Sequence, residues 1–426
     1  MHVKARLPSH SLNLCALQRV SNFARANQTA TRHQRKSHLA ISADTFRFWR
    51  VRPALPRIML FLLGTVATLL AIEQRPDGIH VVPGDNIQQA IDLAAHSSTQ
   101  KVVKVHAGEY RPNARRQALI WFNRAHDGVV VEAVGPVTLS AANPALSRPS
   151  AKSYPAVVNH VVYFGHGISS NTILRGFKIT GANACITDKF LEQIEPDSSV
   201  PKNSFFLTDG GGIKLFGESG PTLERLEVAG NFASPCAGGV SVQQQGLTNR
   251  PVIFRDCIFK NNRAQVTGAA IDLLEGSAAQ IINCLFVGNV ANTGIDTVSR
   301  RSGETPFTNS GVVTIFQNSR AIVQNCTFAK NRNGIDDLGG NSSYLNCIFC
   351  DNTLDGGLVP ALRYDLSLLN GGTVRGCFFT GALVDPANSI SPAENTLKAS
   401  DPNFDVSFAP RNELFKNAGY RAPSAH

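Results

Sequence analysis

A short recurring segment carries the residues of this chain best suited to chemistry. It reads GGIKL, GGVSV, AAIDL, GVVTI, NGIDD and LRYDL in six successive copies. The residue between the two apolar positions is, in order, Lys214, Ser241, Asp272, Thr314, Asp336 and Asp365. On a strand these residues point away from the apolar side, so they are expected to form a solvent-facing column. Three aspartates among six is unusual where Asp is disfavoured. Asp336 and Asp365 are expected on neighbouring coils with Asp337 beside them, and carboxylates that close share a proton or bind a cation. Both arrangements serve polysaccharide chemistry. A paired acid and base cleaves a glycosidic bond, and a bound Ca2+ neutralises a uronate ahead of elimination. The plainer reading of the column is a solvated face that keeps a sheet from aggregating.

What must position these residues is a repeat. RDCIFKNN (255–262), INCLFVGN (282–289), QNCTFAKN (324–331), LNCIFCDN (345–352) and RGCFFTGA (375–382) are near copies, with weaker ones at 175–182 and 224–231. Each reads as a short strand ending in a turn. The preceding GGIxL strand stands about thirteen residues upstream, counted from Ile213 to Leu226, Ile271 to Cys284, Val313 to Cys326 and Tyr364 to Cys377. One coil is therefore about 27 residues with two main strands. Such a unit cannot bury its apolar face alone, so coils must stack with like positions over like. Stacking predicts three ladders: Cys257, Cys284, Cys326, Cys347 and Cys377; Phe259, Phe286, Phe328, Phe349 and Phe379; and Asn231, Asn262, Asn289, Asn331 and Asn352 at a turn where Asn tolerates left-handed backbone. The ladder cysteines read as buried thiols, whereas Cys185 and Cys236 are open to either a bridge or two separate thiols.

This pattern resembles the pectin-lyase-like superfamily of right-handed parallel β-helices. GGGIKLFGESGPTLERLEVAGN (210–231) matches the coils of its exported repeat proteins, GDNIQQAIDLAA (84–95) its N-terminal cap, and DPNFDVSFAPRNELFKNAG (401–419) its usual ending, with Asn417 where Asp is common. The resemblance covers about 80–426 and implies an all-β, single-domain parallel β-helix of about nine coils. It is weak for activity, because the superfamily holds lyases, hydrolases, esterases and adhesins. Its lyases commonly use Arg or Lys as base beside acidic calcium ligands, which draws attention to Arg300, Arg301, Lys214 and Arg363. Longer connections after Phe177, Cys284 and Cys347 are expected to wall a groove beside the Asp column. The candidate set is thus Asp272, Asp336, Asp365, Arg300 and Arg301 for catalysis, Lys214 and Arg363 for substrate, and Asp336, Asp337 and Asp365 for Ca2+. No family catalytic motif matches residue by residue. The expectation is an exported protein that acts on a polysaccharide, an acidic one, with a lyase favoured over a hydrolase; the rival expectation is a non-catalytic cell-surface or adhesion scaffold.

Composition limits the partners. The net charge is +10, but residues 1–57 hold eleven Lys or Arg and one acid, leaving thirty of each sign downstream. The basic character that would suggest nucleic acid therefore lies in the leader. Residues 58–72 (IMLFLLGTVATLLAI) lack charge and follow Arg52 and Arg57, as in a signal-peptide core or an anchor. The expectation is an exported monomer that meets a polysaccharide or cell-surface glycan, and touches membrane only through this segment.

Overall fold

The computed structural model describes residues 72–113, 116–142, 158–184, 209–233, 236–246, 249–274, 276–291, 293, 311–353 and 363–423. Contacts divide the chain into Met1–Ala67, of which no residue is described, and Thr68–His426. Among the described residues no helix is long and apolar enough to cross a membrane.

Two long sheets wind through the second unit. Among the described residues the front sheet has nine strands: Arg116–Phe122, Val158–Phe164, Ile213–Phe216, Val240–Gln243, Ile271–Leu273, Val313–Ile315, Ile335–Asp337, Leu366–Leu368 and Leu383–Val384. Each pairs in parallel with its counterpart one coil away. The back sheet takes one continuous strand from each early coil, such as Ile173–Thr180, and from Thr222 onward two strands per coil, such as Val252–Arg255 and Ile258–Lys260. Between them one residue adopts left-handed backbone: Arg225, Asp256, Asn283, Asn325 and Asn346 have φ between 51° and 56°. Each coil is therefore three-sided rather than two-stranded. A narrow third sheet joins Asn183–Ala184, Phe232–Ala233 and Arg263–Ala264. The expected parallel β-helix is the fold observed.

The ladders form as the spacing requires. Successive rings from Phe259 to Phe379 stack with centroids 4.8, 4.5, 4.8 and 5.0 Å apart, the spacing of neighbouring strands. The five ladder cysteines are free and fully buried. Cys236 is also a free thiol, and Cys185 lies outside the described residues. Cys347 faces the core, whereas Cys350 lies outside the back sheet against Phe415 and Ala418. The left-handed residue at the turn is not the ladder Asn but the one before it: Gly230, Asn261, Gly288, Lys330 and Asp351.

The open N-terminal end is plugged by a helix, Ile87–His96, which buries Ile87, Ala90, Ile91 and Ala94 at helical spacing. Gln88 on this helix accepts from the Trp121 backbone N–H at 2.8 Å and donates to its carbonyl at 3.1 Å, so an amide side chain pairs the exposed edge of the front sheet. The C-terminal segment crosses the outer back sheet and covers Leu285, Val287, Ile348 and Cys350 with Phe415, Ala418 and Tyr420. Gly419 has φ 75° there, and a Cβ on it would lie 2.6 Å from Ile348 Cδ1, so this position excludes other residues.

Candidate functional site

The site worth testing is the outward column of the front sheet. Its register runs Trp121, Tyr163, Lys214, Ser241, Asp272, Thr314, Asp336 and Ser367. From Lys214 to Ser367 no residue is more than 2% exposed. The expected solvent-facing column is therefore sealed. Part of the seal is the repeat itself. Five residues before Lys214, Ser241 and Asp272 stand Asp209, Cys236 and Thr267, and the Gly- and Ala-rich stretch between lets the chain fold back over the column. Each segment thus supplies two polar rows that face each other.

The first facing pair is ionic. Lys214 Nζ donates to both oxygens of Asp209 at 2.9 and 2.8 Å, to Ser241 Oγ at 3.1 Å and to Gln243 Oε1 at 3.0 Å. Ser241 Oγ donates to Asp209 at 2.8 Å. Burial pushes Asp209 up and Lys214 down, and their mutual attraction opposes both shifts. The geometry keeps the pair matched, with the hydroxyl proton of Ser241 held by Asp209. Ser241 is therefore not primed as a nucleophile by the nearby amine. Lys214, expected to hold substrate, is fully buried and bound internally. Asp209 escaped the sequence reading, although its five-residue spacing from Lys214 repeats in the next two coils.

Asp272 accepts from Thr267 Oγ1 at 2.9 Å through one oxygen, while the other has no hydrogen-bond partner. Gly268 packs directly on that second oxygen. Burial pushes Asp272 up to about 8, with the Asp209 charge adding to the rise. Asp336 is pushed up to about 7, first by burial and then by the charge of Asp337, and its Oδ1 is also without a partner. A buried carboxyl in this condition carries its proton near neutral pH.

Two expectations about the other aspartates are corrected. Asp336 has Ser367, not Asp365, as its neighbour on the next coil. Asp365 belongs to the asparagine ladder. From Asn231 each amide donates to the next Asn, with N–O distances of 3.1, 3.1, 3.0 and 3.0 Å, and Asn352 donates to Asp365 Oδ1 at 3.0 Å. Where the next Asn would stand the sequence has Ala382, and Asp365 reaches across to fill the gap, accepting also from the Gly381 N–H at 2.6 Å. Its role there is structural. Asp337 occupies a core position, in register with Ile315 and Leu368. It accepts from Tyr344 Oη at 2.7 Å and from the Gly339 N–H at 2.7 Å. Asp336 and Asp337 thus point to opposite sides of the sheet, and Asp336, Asp337 and Asp365 do not form one cluster. Among the described residues no group of three or more His, Cys, Asp or Glu is placed to hold a metal ion. Arg363 is half-buried just ahead of its strand; Arg300 and Arg301 lie outside the described residues.

A family model for the right handed beta helix region matches residues 161–312. The matched span contains the Lys214, Ser241 and Asp272 strands and the ladders between them. The match and the long parallel sheets together identify the fold as a right-handed parallel β-helix. No curated protein and no solved structure matches it. In this β-helix, then, the acidic positions most visible in the sequence are buried, and among the described residues the column is partly exposed at its two ends, at Trp121 and Tyr163 and at Val384, which pairs with Ser367.

Proposed function

We propose that this is an exported member of the pectin-lyase-like superfamily that holds a polysaccharide or cell-surface glycan on its β-helix without cleaving it. The observation that favours binding over cleavage is the sealed column. A lyase or hydrolase needs its carboxylates and its Arg or Lys to meet substrate in one groove; here Asp272 and Lys214 have no solvent exposure and their partners are internal. Export is inferred from the uncharged segment at 58–72 behind a basic leader. The near-neutral folded part argues against nucleic acid as partner.

A polysaccharide lyase or glycoside hydrolase is the second reading, supported by one feature: burial raises the Asp272 and Asp336 carboxyls toward neutral pH, the range a general acid needs. One experiment separates the two. The protein is incubated with uronate polymers and neutral glycans, and three signals are followed: new ultraviolet absorbance from elimination, new reducing ends from hydrolysis, and retardation of the protein in polysaccharide-containing gels. Retardation with neither cleavage signal is expected. Turnover that Asp272→Asn abolishes overturns the binding reading in favour of the enzyme. Silence in all three signals removes both.

A further inference from the structure

The N-terminal end of the outward column differs in kind from the rest. Trp121 and Tyr163 are neighbours in register on adjacent coils, and the next position is Lys214. Beneath them Phe122 and Phe164 stack at 4.6 Å inside the core, so alternation places Trp121 and Tyr163 outside. One residue past Phe164 the chain has Gly165. A Cβ there would lie 3.1 Å from Tyr163 Cε1 and 3.6 Å from its hydroxyl. The missing side chain lets the phenol ring lean along its own strand over bare backbone, instead of standing upright. The buried His160 ring stacks beside the phenol at 6.4 Å, and part of the phenol remains exposed. His166 is exposed and meets Phe216 edge-on at 5.4 Å. Arg124, 79% exposed, lies 3.5 Å from Glu218 at the adjoining turn. Two aromatic rings, an exposed imidazole and an exposed guanidinium therefore lie at the same end of the column on neighbouring coils, each with some exposure to solvent.

We propose that Tyr163, with Trp121 beside it and His166 and Arg124 at its rim, is a stacking subsite for a sugar ring. The inference rests on the glycan-binding reading above and adds to it a place and a mode. A pyranose has one face dominated by C–H groups and an edge of hydroxyl and carboxyl groups. The first suits a flat aromatic ring, and the second suits polar and cationic groups at the margin. A phenol supplies contact area with little conformational freedom to lose.

The chain contains two tryptophans, Trp49 and Trp121. Trp49→Phe in the full chain makes fluorescence report on Trp121 alone. This parent is titrated with oligomers of galacturonate, guluronate, glucose and N-acetylglucosamine. At least one should change the emission saturably. Tyr163→Ala should then weaken that ligand about tenfold or more, Tyr163→Phe should keep the affinity within about twofold because the ring is retained, and both should melt like the parent. Trp121→Ala, followed by calorimetry because its fluorescence is lost, should weaken the same ligand. Binding that Tyr163→Ala and Trp121→Ala leave intact overturns the subsite while glycan binding stands. A parent that binds none of the four overturns the glycan reading, and the subsite with it. If Tyr163→Ala does not fold, the Trp121→Ala titration decides alone.

Discussion

Replacing Asp272 by Asn should flatten the pH dependence of stability, in a direction opposite to that of most aspartates. In the native protein burial holds this carboxyl at about 8; in the unfolded chain it ionises near 3.9. Between those values the native state keeps a proton that the unfolded state has released. Stability therefore falls as pH rises through the window, by roughly 1 kcal/mol per pH unit, and from pH 5 to pH 7 this group alone removes about 3 kcal/mol. Below the unfolded value both states are protonated and the slope vanishes. Asp336, at about 7, adds a slope of the same sign over a slightly narrower range. In Asp272→Asn the amide oxygen can still accept from Thr267, but nothing titrates, so the share of the slope that Asp272 contributes should disappear. Urea unfolding followed by far-ultraviolet circular dichroism at steps from pH 5 to pH 8 measures it. The variant should overtake the wild type as the solution becomes alkaline. Equal slopes in the two proteins would refute the argument, because Asp272 would then be charged in the native state.

Three further outcomes follow from the same geometry. Asp365→Ala leaves the Asn352 amide and the Gly381 N–H without their acceptor and should cost about 2–4 kcal/mol, with Asp365→Asn milder and gel retardation by glycan unchanged in both; loss of glycan binding at normal stability would return Asp365 to the functional site. Gly268→Ala presses a methyl group into Asp272 and should lower the melting temperature, and Asp272→Ala in the same chain should restore part of the loss because the two atoms compete for one space. Cys284→Ala should destabilise by about 1–3 kcal/mol through the cavity it leaves, and thiol titration should find the five ladder cysteines silent in the native protein and free once it is unfolded without reductant.

The ladders were legible because stacking repeats one environment in every coil, and the same residue type answers it each time. The capping helix was legible through the spacing of Ile87, Ala90, Ile91 and Ala94. The slip at Asp365 has a definite cause. Counting thirteen residues back from Cys377 lands on Tyr364, but the strand that pairs is Leu366–Leu368, eleven residues before it. A two-residue shift preserves the in-out alternation, so the pattern cannot reveal it; only a one-residue slip would have exposed an apolar face. Alternation also states which side a residue faces, not whether that side is covered. The cover over Asp272 came from Thr267 and Gly268, inside the repeat segment but read only as its glycine-rich lead-in. Trp121 and Tyr163 lie ahead of the clearest copies of the repeat, and only the register of the front sheet brings them into the column.

The asparagine row has a direction. Every amide in it donates toward the C-terminal end, so any interior coil offers the next coil the same socket it received from the one before, and only the final coil must present something that accepts without donating. Length is in this respect a free variable of the architecture. Another coil of about 27 residues placed between Asn289 and Asn331 would meet familiar neighbours on both sides, whereas one added beyond Asp365 would meet a carboxylate with no N–H to offer. Duplication within the chain can therefore extend the scaffold, and with it the surface available to a long ligand, while the terminus stays fixed.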